Sequence, residues 1–303
     1  MVKPPLPFEP DPSQLRRMPL FSANKVPRYL FRIHTPTSSA ETTTLSVVPS
    51  ASKCGRAGRT HDIFSLSPSY AAALLKDHLW WDQAHEANCN LVSWTSSLLF
   101  ALHYALHRHR GSCDTSALAD IALLVLDTRG FPAGTFVSEM EILRVFAEHE
   151  KAVAVQNKTL RRLVEIREDP RRNRSYGEYL SQGELDIRGR CVQTTMQKLI
   201  DLGIFELVKE LSEEDLWKKL ALRVLDLREE LLPSAPAPSA THFEVRKAIT
   251  IADACFGDRW TIPVAAMLLA LRRRKRNDAI IVQGVAAMFS REQVVPQRKH
   301  RGR

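Results

Sequence analysis

Three short segments of the chain carry residue types that could do chemistry together. Arg32 sits inside Tyr29-Leu30-Phe31-Arg32-Ile33-His34, a β-type run. A guanidinium fixed on a strand is a permanently charged fork that grips an anion with two parallel hydrogen bonds. Ser93, Thr95, Ser96 and Ser97 crowd the segment Leu91 to Ser97, just ahead of an apolar helical pattern. Small hydroxyls at such a place can orient a neighbouring carboxylate or bond a ligand without filling a pocket. Gly177 to Leu185 carries Glu178 and Glu184, and a carboxylate shielded from water stabilises positive charge that develops on a substrate. Each segment also has a plain structural reading. Arg32 can be an outward strand residue lying over apolar neighbours, the Ser/Thr cluster a set of helix N-caps, and the two glutamates solvent-facing positions on one strand face.

Other constellations point to less. His103 and His107 stand at i and i+4 of a helical pattern, but neither a His-Glu-x-x-His form nor a third ligand accompanies them. The expectation is therefore no metal, with both histidines on the helix surface or capping it. The rings of Trp80, Trp81 and Tyr104 can stack on a flat heterocycle or fill a core. Neither a phosphate-cradling glycine loop nor Gly-x-Ser-x-Gly occurs, which argues against kinase, dinucleotide-fold and hydrolase readings.

The elements that must position these residues emerge from punctuation and periodicity. Val26 to Ile33 reads as a strand, and Thr35 to Gly58 as a long loop interrupted by a short strand at Thr44 to Val48. Ser67-Pro68 supplies an N-cap and an N1 proline for a helix running to Trp81. Leu98, Leu99, Leu102, Ala105 and Leu106 recur at helical spacing, with Gly111 as the stop. Ile121 to Asp127 is a continuous apolar run, the mark of a buried strand. Ser138-x-x-Glu141 is a capping-box pattern opening a helix to about His149. Arg161 to Ser175, with six arginines, Pro170 and Asn173, reads as an exposed connection, and Tyr179 to Leu185 as a strand. Ser212-x-x-Asp215 opens an amphipathic pattern through Leu231. Phe243 to Leu271 is helical with breaks at Asp258 and Pro263, and Ala279 to Phe289 is a short helix or strand. Strands and helices intermingle without regular alternation, so the class is α+β.

A chain of 303 residues, 44% hydrophobic and 25% charged, can bury an ordinary core. No run is long and apolar enough for a membrane helix, and Met1 to Ser13 has five prolines and no signal-like apolar stretch, so the expectation is an intracellular protein, cytoplasmic or nuclear, not secreted. Cys54, Cys89, Cys113, Cys191 and Cys255 are widely spaced, which favours reduced thiols over disulfides or zinc. The net charge of +9 is a property of one end: residues 272–303 hold ten Lys or Arg against Asp278 and Glu292, leaving +1 for the rest. Four parts are expected: a Pro-rich, extended or disordered 1–25, a domain over 26–211, a helical extension over 212–271 with a Pro-rich linker at 233–238, and a basic tail over 272–303.

The order of arginine, Ser-Thr-Ser cluster and glutamate resembles the signatures of ADP-ribosyltransferases over about residues 26–211. The YLFRIHTP, SWTSSLLFALHYAL and GEYLSQGEL stretches also resemble an uncharacterised fungal domain family with no assigned activity. The first resemblance implies small mixed β-sheets with flanking helices and a helical C-terminal part. It implies NAD as the substrate, with ADP-ribose transferred to an acceptor or NAD hydrolysed, and no metal. It gives Glu178 the role of stabilising an oxocarbenium-like ribose, with Glu184 as the alternative carboxylate. Arg32 would clamp the pyrophosphate, and Ser93, supported by Thr95, would orient the carboxylate or bond the ribose. Ala101 lies where the family often keeps a small helix residue. Trp94 stands where a small Thr is usual, implying a bulkier pocket wall, and Tyr176 where arginine- and guanine-directed members carry Glu or Gln. Gly183 and Leu185 resemble the residues after the catalytic strand in the enterotoxin branch, which favours Glu178. A second expectation is a non-catalytic interaction module on the same scaffold, its basic tail contacting nucleic acid or an acidic partner.

Overall fold

A computed structural model of the protein describes residues 4–53, 61–82, 88–111, 114–150, 158–169, 175–232 and 236–292. Two compact units emerge, Met1–Met196 with Trp217–Leu225, and Gln197–Leu216 with Asp226–Arg303. Together they are α+β: antiparallel sheets with flanking helices, followed by a helical C-terminal part.

Among the described residues the first unit has nine strands: β1 (Tyr29–His34), β2 (Glu41–Thr42), β3 (Ser46–Val48), β4 (Leu91–Thr95), β5 (Ala122–Asp127), β6 (Val137–Ser138), β7 (Glu178–Gln182), β8 (Leu185–Asp186) and β9 (Cys191–Thr195). Six of them form one sheet in the order β6-β7-β4-β1-β5-β9, and β2-β3-β8 form a second. β5 is paired on both edges, by β1 and β9, and its apolar run is buried from Ala122 to Leu126. β1 pairs with β5 along its whole length, but with β4 only at Phe31 opposite Thr95. The sheet thus parts between β1 and β4.

Helices of this unit are α1 (Pro12–Leu15), α2 (Pro19–Ser22), α3 (Ser50–Lys53), α4 (Pro68–Leu79), α5 (Leu98–Arg110), α6 (Glu139–Phe146) and α7 (Leu160–Glu168). Leu75 and Leu79 of α4, Ile142, Leu143 and Phe146 of α6, and Leu160 and Leu163 of α7 share one core with Leu91 and Leu180 of the sheet. A second core holds Leu30, Val92, Trp94 and Leu124 with Val47, Leu185 and Ile187. α5 starts where expected, Ser97 Oγ accepting from Phe100 N–H, and ends at Gly111.

Several expectations are corrected. Residues 4–25 are packed: Phe8 and Met18 are buried, and Phe8 N–H donates to Gly134 O. Six prolines over these residues did not prevent this; two of them, Pro12 and Pro19, occupy first helical positions, where the missing N–H has no intrahelical acceptor to lose. The capping box at Ser138 does not form. Glu141 instead accepts from the N–H groups of Leu20 and Phe21, at 2.6 and 3.0 Å. Part of the connection expected over 161–175 is the helix α7, capped by Thr159; residues 170–174 lie outside the described ones, as do Cys54, Cys113 and residues 233–235 of the linker. Cys89, Cys191 and Cys255 are thiols, none of them in a disulfide. Among the described residues no helix is long and apolar enough to cross a membrane.

The second unit is helical: α8 (Met196–Asp201) leads into it, followed by α9 (Ile204–Leu207), α10 (Ala221–Leu231), which begins in the first unit, and α11 (His242–Phe256), α12 (Thr261–Leu269) and α13 (Ala279–Glu292). Ser212 opens no long helix; the chain makes 3₁₀ turns at Lys209–Ser212 and Glu214–Leu216 before α10. Gly257, at φ +59°, ends α11, whereas Pro263 is in the first turn of α12 and breaks nothing. The basic tail is partly built into this unit: Arg272 pairs with Glu210 at 2.5 Å, and Arg274 with Glu244 at 2.7 Å. Asp278 accepts from Ala240 N–H at 2.6 Å. Residues 293–303 lie outside the described ones.

Candidate functional site

Where β1 and β4 part, a cavity of about 410 Å³ opens, lined among others by Arg32, His78, Cys89, Ser93, Thr95 and Glu178. The three segments singled out in the sequence therefore meet, on the neighbouring strands β1, β4 and β7. β4 and β7 hold a five-residue register in which Thr95 lies opposite Glu178 and Ser93 opposite Leu180. That register puts Ser93 diagonally across from Glu178, within reach of its side chain.

Arg32 donates from Nε to Thr42 Oγ1 at 3.0 Å and from Nη1 to Ser93 O at 2.8 Å. Among the described residues no carboxylate pairs with it. Burial pulls its guanidinium down to about 10, so it remains a cation at neutral pH. A half-buried charge without a counter-charge is costly, and an anion in the cavity would offset that cost.

Around Ser93 the contacts are dense. Its Oγ is 2.8 Å from His78 Nε2, and His78 Nδ1 is 3.0 Å from Cys89 Sγ. Burial, reinforced by the charge of Arg32, pushes the imidazole down to about 4 and keeps it neutral. Diagonally across β4 and β7, the Ser93 hydroxyl is near enough to Glu178 to favour its ionised form. Burial raises the Glu178 carboxyl above its ordinary range, while Arg167 and the Ser93 hydroxyl work against that rise. Arg167 Nη2 is 3.7 Å from Glu178 Oε2, and its Nε donates to Glu139 Oε1 at 3.1 Å. Glu139 is 1% exposed; burial, then the charge of Glu178, pushes its carboxyl up to about 8. Behind the cavity, one guanidinium thus serves two carboxylates.

The other hydroxyls of the Ser/Thr cluster act on the backbone. Thr95 lines the cavity, but its Oγ1 donates to Tyr176 O at 2.6 Å, and Ser96 donates to Gly177 O from both N–H, at 2.8 Å, and Oγ, at 3.2 Å. They staple the start of α5 to the entry of β7. Glu184 is exposed, in the turn after Gly183, whose φ of +67° ends the strand and takes Glu184 off the face that Glu178 occupies. Trp94 borders the cavity, and its indole is packed in the core between the sheets, edge-on to Phe136 and donating to Ser181 Oγ at 2.9 Å. Ala101 is fully buried on α5 and borders the cavity.

Tyr104 is stacked between Trp81 and Phe100, both at 5.8 Å, and Phe100 stacks on Tyr176 at 4.8 Å. Trp81, 62% exposed, ends that ladder, whereas Trp80 packs on the helical core and donates to Thr159 O. His103 donates to Lys219 O at 2.7 Å and His107 to Trp217 O at 2.9 Å, which accounts for both ring contacts as backbone anchors. Among the described residues no group of three or more His, Cys, Asp or Glu side chains is placed to hold a metal ion.

Sequence reading missed His78, Arg167 and Glu139. A signal for two of them was present. Ala71, Leu74, Leu75 and His78 stand at i, i+3, i+4, i+7, and so do Leu160, Leu163, Val164 and Arg167. A polar residue in the last place of an apolar helical stripe faces inward.

A profile for a domain of unknown function, DUF7587, matches residues 25–197, more than half of the chain. The chain belongs to the DUF7587 family. The match covers β1 to β9 and therefore every cavity residue named above. No curated protein and no solved structure matches the chain.

Proposed function

We propose that the DUF7587 domain of this chain is an ADP-ribosyltransferase-like domain. On this reading it binds NAD and cleaves the bond between nicotinamide and ribose, passing ADP-ribose to an acceptor or to water. The observation that carries the reading is the pairing of Arg32 and Glu178 in one cavity. A half-buried cation that lines the cavity and has no carboxylate partner among the described residues calls for an anion. A carboxylate in the same cavity suits a reaction that builds positive charge. A dinucleotide with a diphosphate and a cationic leaving group asks for both. As the glycosidic bond breaks, its electron pair leaves with nicotinamide, and Glu178 stabilises the charge left on the ribose. Ser93 holds Glu178 in place, and Arg32 takes the diphosphate with the N–H groups not engaged by Thr42 and Ser93.

Binding tests the anionic half of this account. By titration calorimetry, Arg32→Met weakens NAD binding by about 2–4 kcal/mol, the order expected for a charge-assisted contact in a dry site. Arg32→Lys recovers only part, because an ammonium cannot reproduce the fork. NAD binding indifferent to both substitutions contradicts the role of Arg32.

A further inference from the structure

The Ser93 hydroxyl has two groups that can take its single proton. His78, on α4, lies 2.8 Å from Oγ, and the Glu178 carboxylate, diagonal to Ser93 across β4 and β7, lines the same cavity. A neutral imidazole carries one N–H and one lone pair. An ionised carboxylate only accepts, so with Glu178 ionised the Ser93 proton points to Glu178. His78 must then donate Nε2–H to Ser93 Oγ, which leaves Nδ1 as the acceptor for the Cys89 thiol, 3.0 Å away. The contacts close in one direction, Cys89 to His78 to Ser93 to Glu178. They also close in reverse. If Glu178 stops accepting, Ser93 donates to Nε2, Nδ1–H turns to Sγ, and the Cys89 S–H falls on Leu91 O at 3.7 Å.

We propose that His78 is a positioning residue: by donating Nε2–H to Ser93 it aims the Ser93 proton at Glu178, while Nδ1 accepts from Cys89 behind it. The purpose of this relay rests on the transferase reading, since it gives the carboxylate a fixed donor before substrate arrives. The relay itself needs no NAD and is measurable without it. It also explains a neutral histidine in this place, because an imidazolium would donate to both neighbours and add charge beside Arg32.

The test is ¹⁵N NMR of the His78 ring in the full chain, without nucleotide and near neutral pH, where the protonated and bare nitrogens of a neutral imidazole are distinguishable. The wild type is expected as the Nε2–H tautomer. Glu178→Ala shifts the population towards Nδ1–H, because the released Ser93 proton gains Nε2 as its acceptor. An Nδ1–H tautomer in the wild type overturns the proposal, even if the variant fails to fold, and so does the same tautomer in both proteins. For nicotinamide release, His78→Ala lowers kcat about 10–100-fold with KM within about twofold. His78→Gln, whose amide N–H can replace Nε2–H, recovers part. Turnover indifferent to His78→Ala overturns the positioning role. The expected tautomers without turnover in any protein support the relay and reject the transferase reading.

Discussion

Arg167 stands between two carboxylates that it cannot neutralise together. It is 13% exposed, so water does little to screen the imbalance. Both carboxyls of the pair it serves are raised by burial, and that of Glu139 is raised from 4.5 to about 8 by burial and then by Glu178. A carboxyl that binds its proton more tightly in the folded state than in the unfolded one favours folding at low pH. That contribution is complete below about 4.5 and is lost as pH rises through about 8. The thermal midpoint of the wild type is therefore expected to fall between pH 6 and pH 9, and Glu139→Gln, which cannot ionise, to flatten the slope. Parallel slopes in the two proteins contradict this account of the pair. At this scale the sequence was legible where a residue type and a motif coincided, as for Arg32, Ser93 and Glu178. It was opaque where the partner is remote: nothing local links Glu139 to Arg167, 28 residues on.

The cavity depends on how elements are joined as much as on which residues line it. β4 and α5 are tied to β7 at Gly177, where φ is +63° and an added Cβ would collide with Ser96 Oγ. Gly177→Ala is expected to cost roughly 1–2 kcal/mol for the left-handed backbone alone. It further displaces Ser96 and hence the strand that begins with Glu178. Thermal unfolding reads the loss, and adding Ser96→Ala to Gly177→Ala recovers part of it, since the colliding hydroxyl is gone. Additive losses in the double variant contradict the contact. Elements with both an apolar pattern and a clear stop were legible: β5, α4 and α5 fall within a few residues of expectation. The connection over 161–175 was misjudged because its arginines outweighed a four-position apolar stripe, and residues 4–25 because composition says nothing of where Phe8 and Met18 are buried. The parting of β1 from β4, which makes the cavity, is a matter of tertiary pairing that no single strand encodes.

The unit that carries the site is larger than the family match. Trp217–Leu225 belongs to it, and within it His103, His107 and Tyr176 bond to the backbone oxygens of Lys219, Trp217 and Ala221. Trp217 is 3% exposed, so Trp217→Ala is expected to cost about 3–5 kcal/mol. That is on the order of 10 °C in the unfolding midpoint of a unit of this size. A midpoint unchanged by the substitution contradicts the inclusion of this segment. Deletion of 272–303 removes Arg272, Arg274 and Asp278 from contacts inside the second unit, so it is not a clean test of a tail that recruits a partner. The account as a whole rests on Glu178. Its most direct test is nicotinamide release from NAD by the full chain, comparing wild type with Glu178→Gln and Glu184→Gln. The account predicts release by the wild type, a loss of about 10²–10³-fold in Glu178→Gln with the fold retained, and undiminished release in Glu184→Gln. Full activity in Glu178→Gln, or a wild type that neither binds nor cleaves NAD, contradicts it.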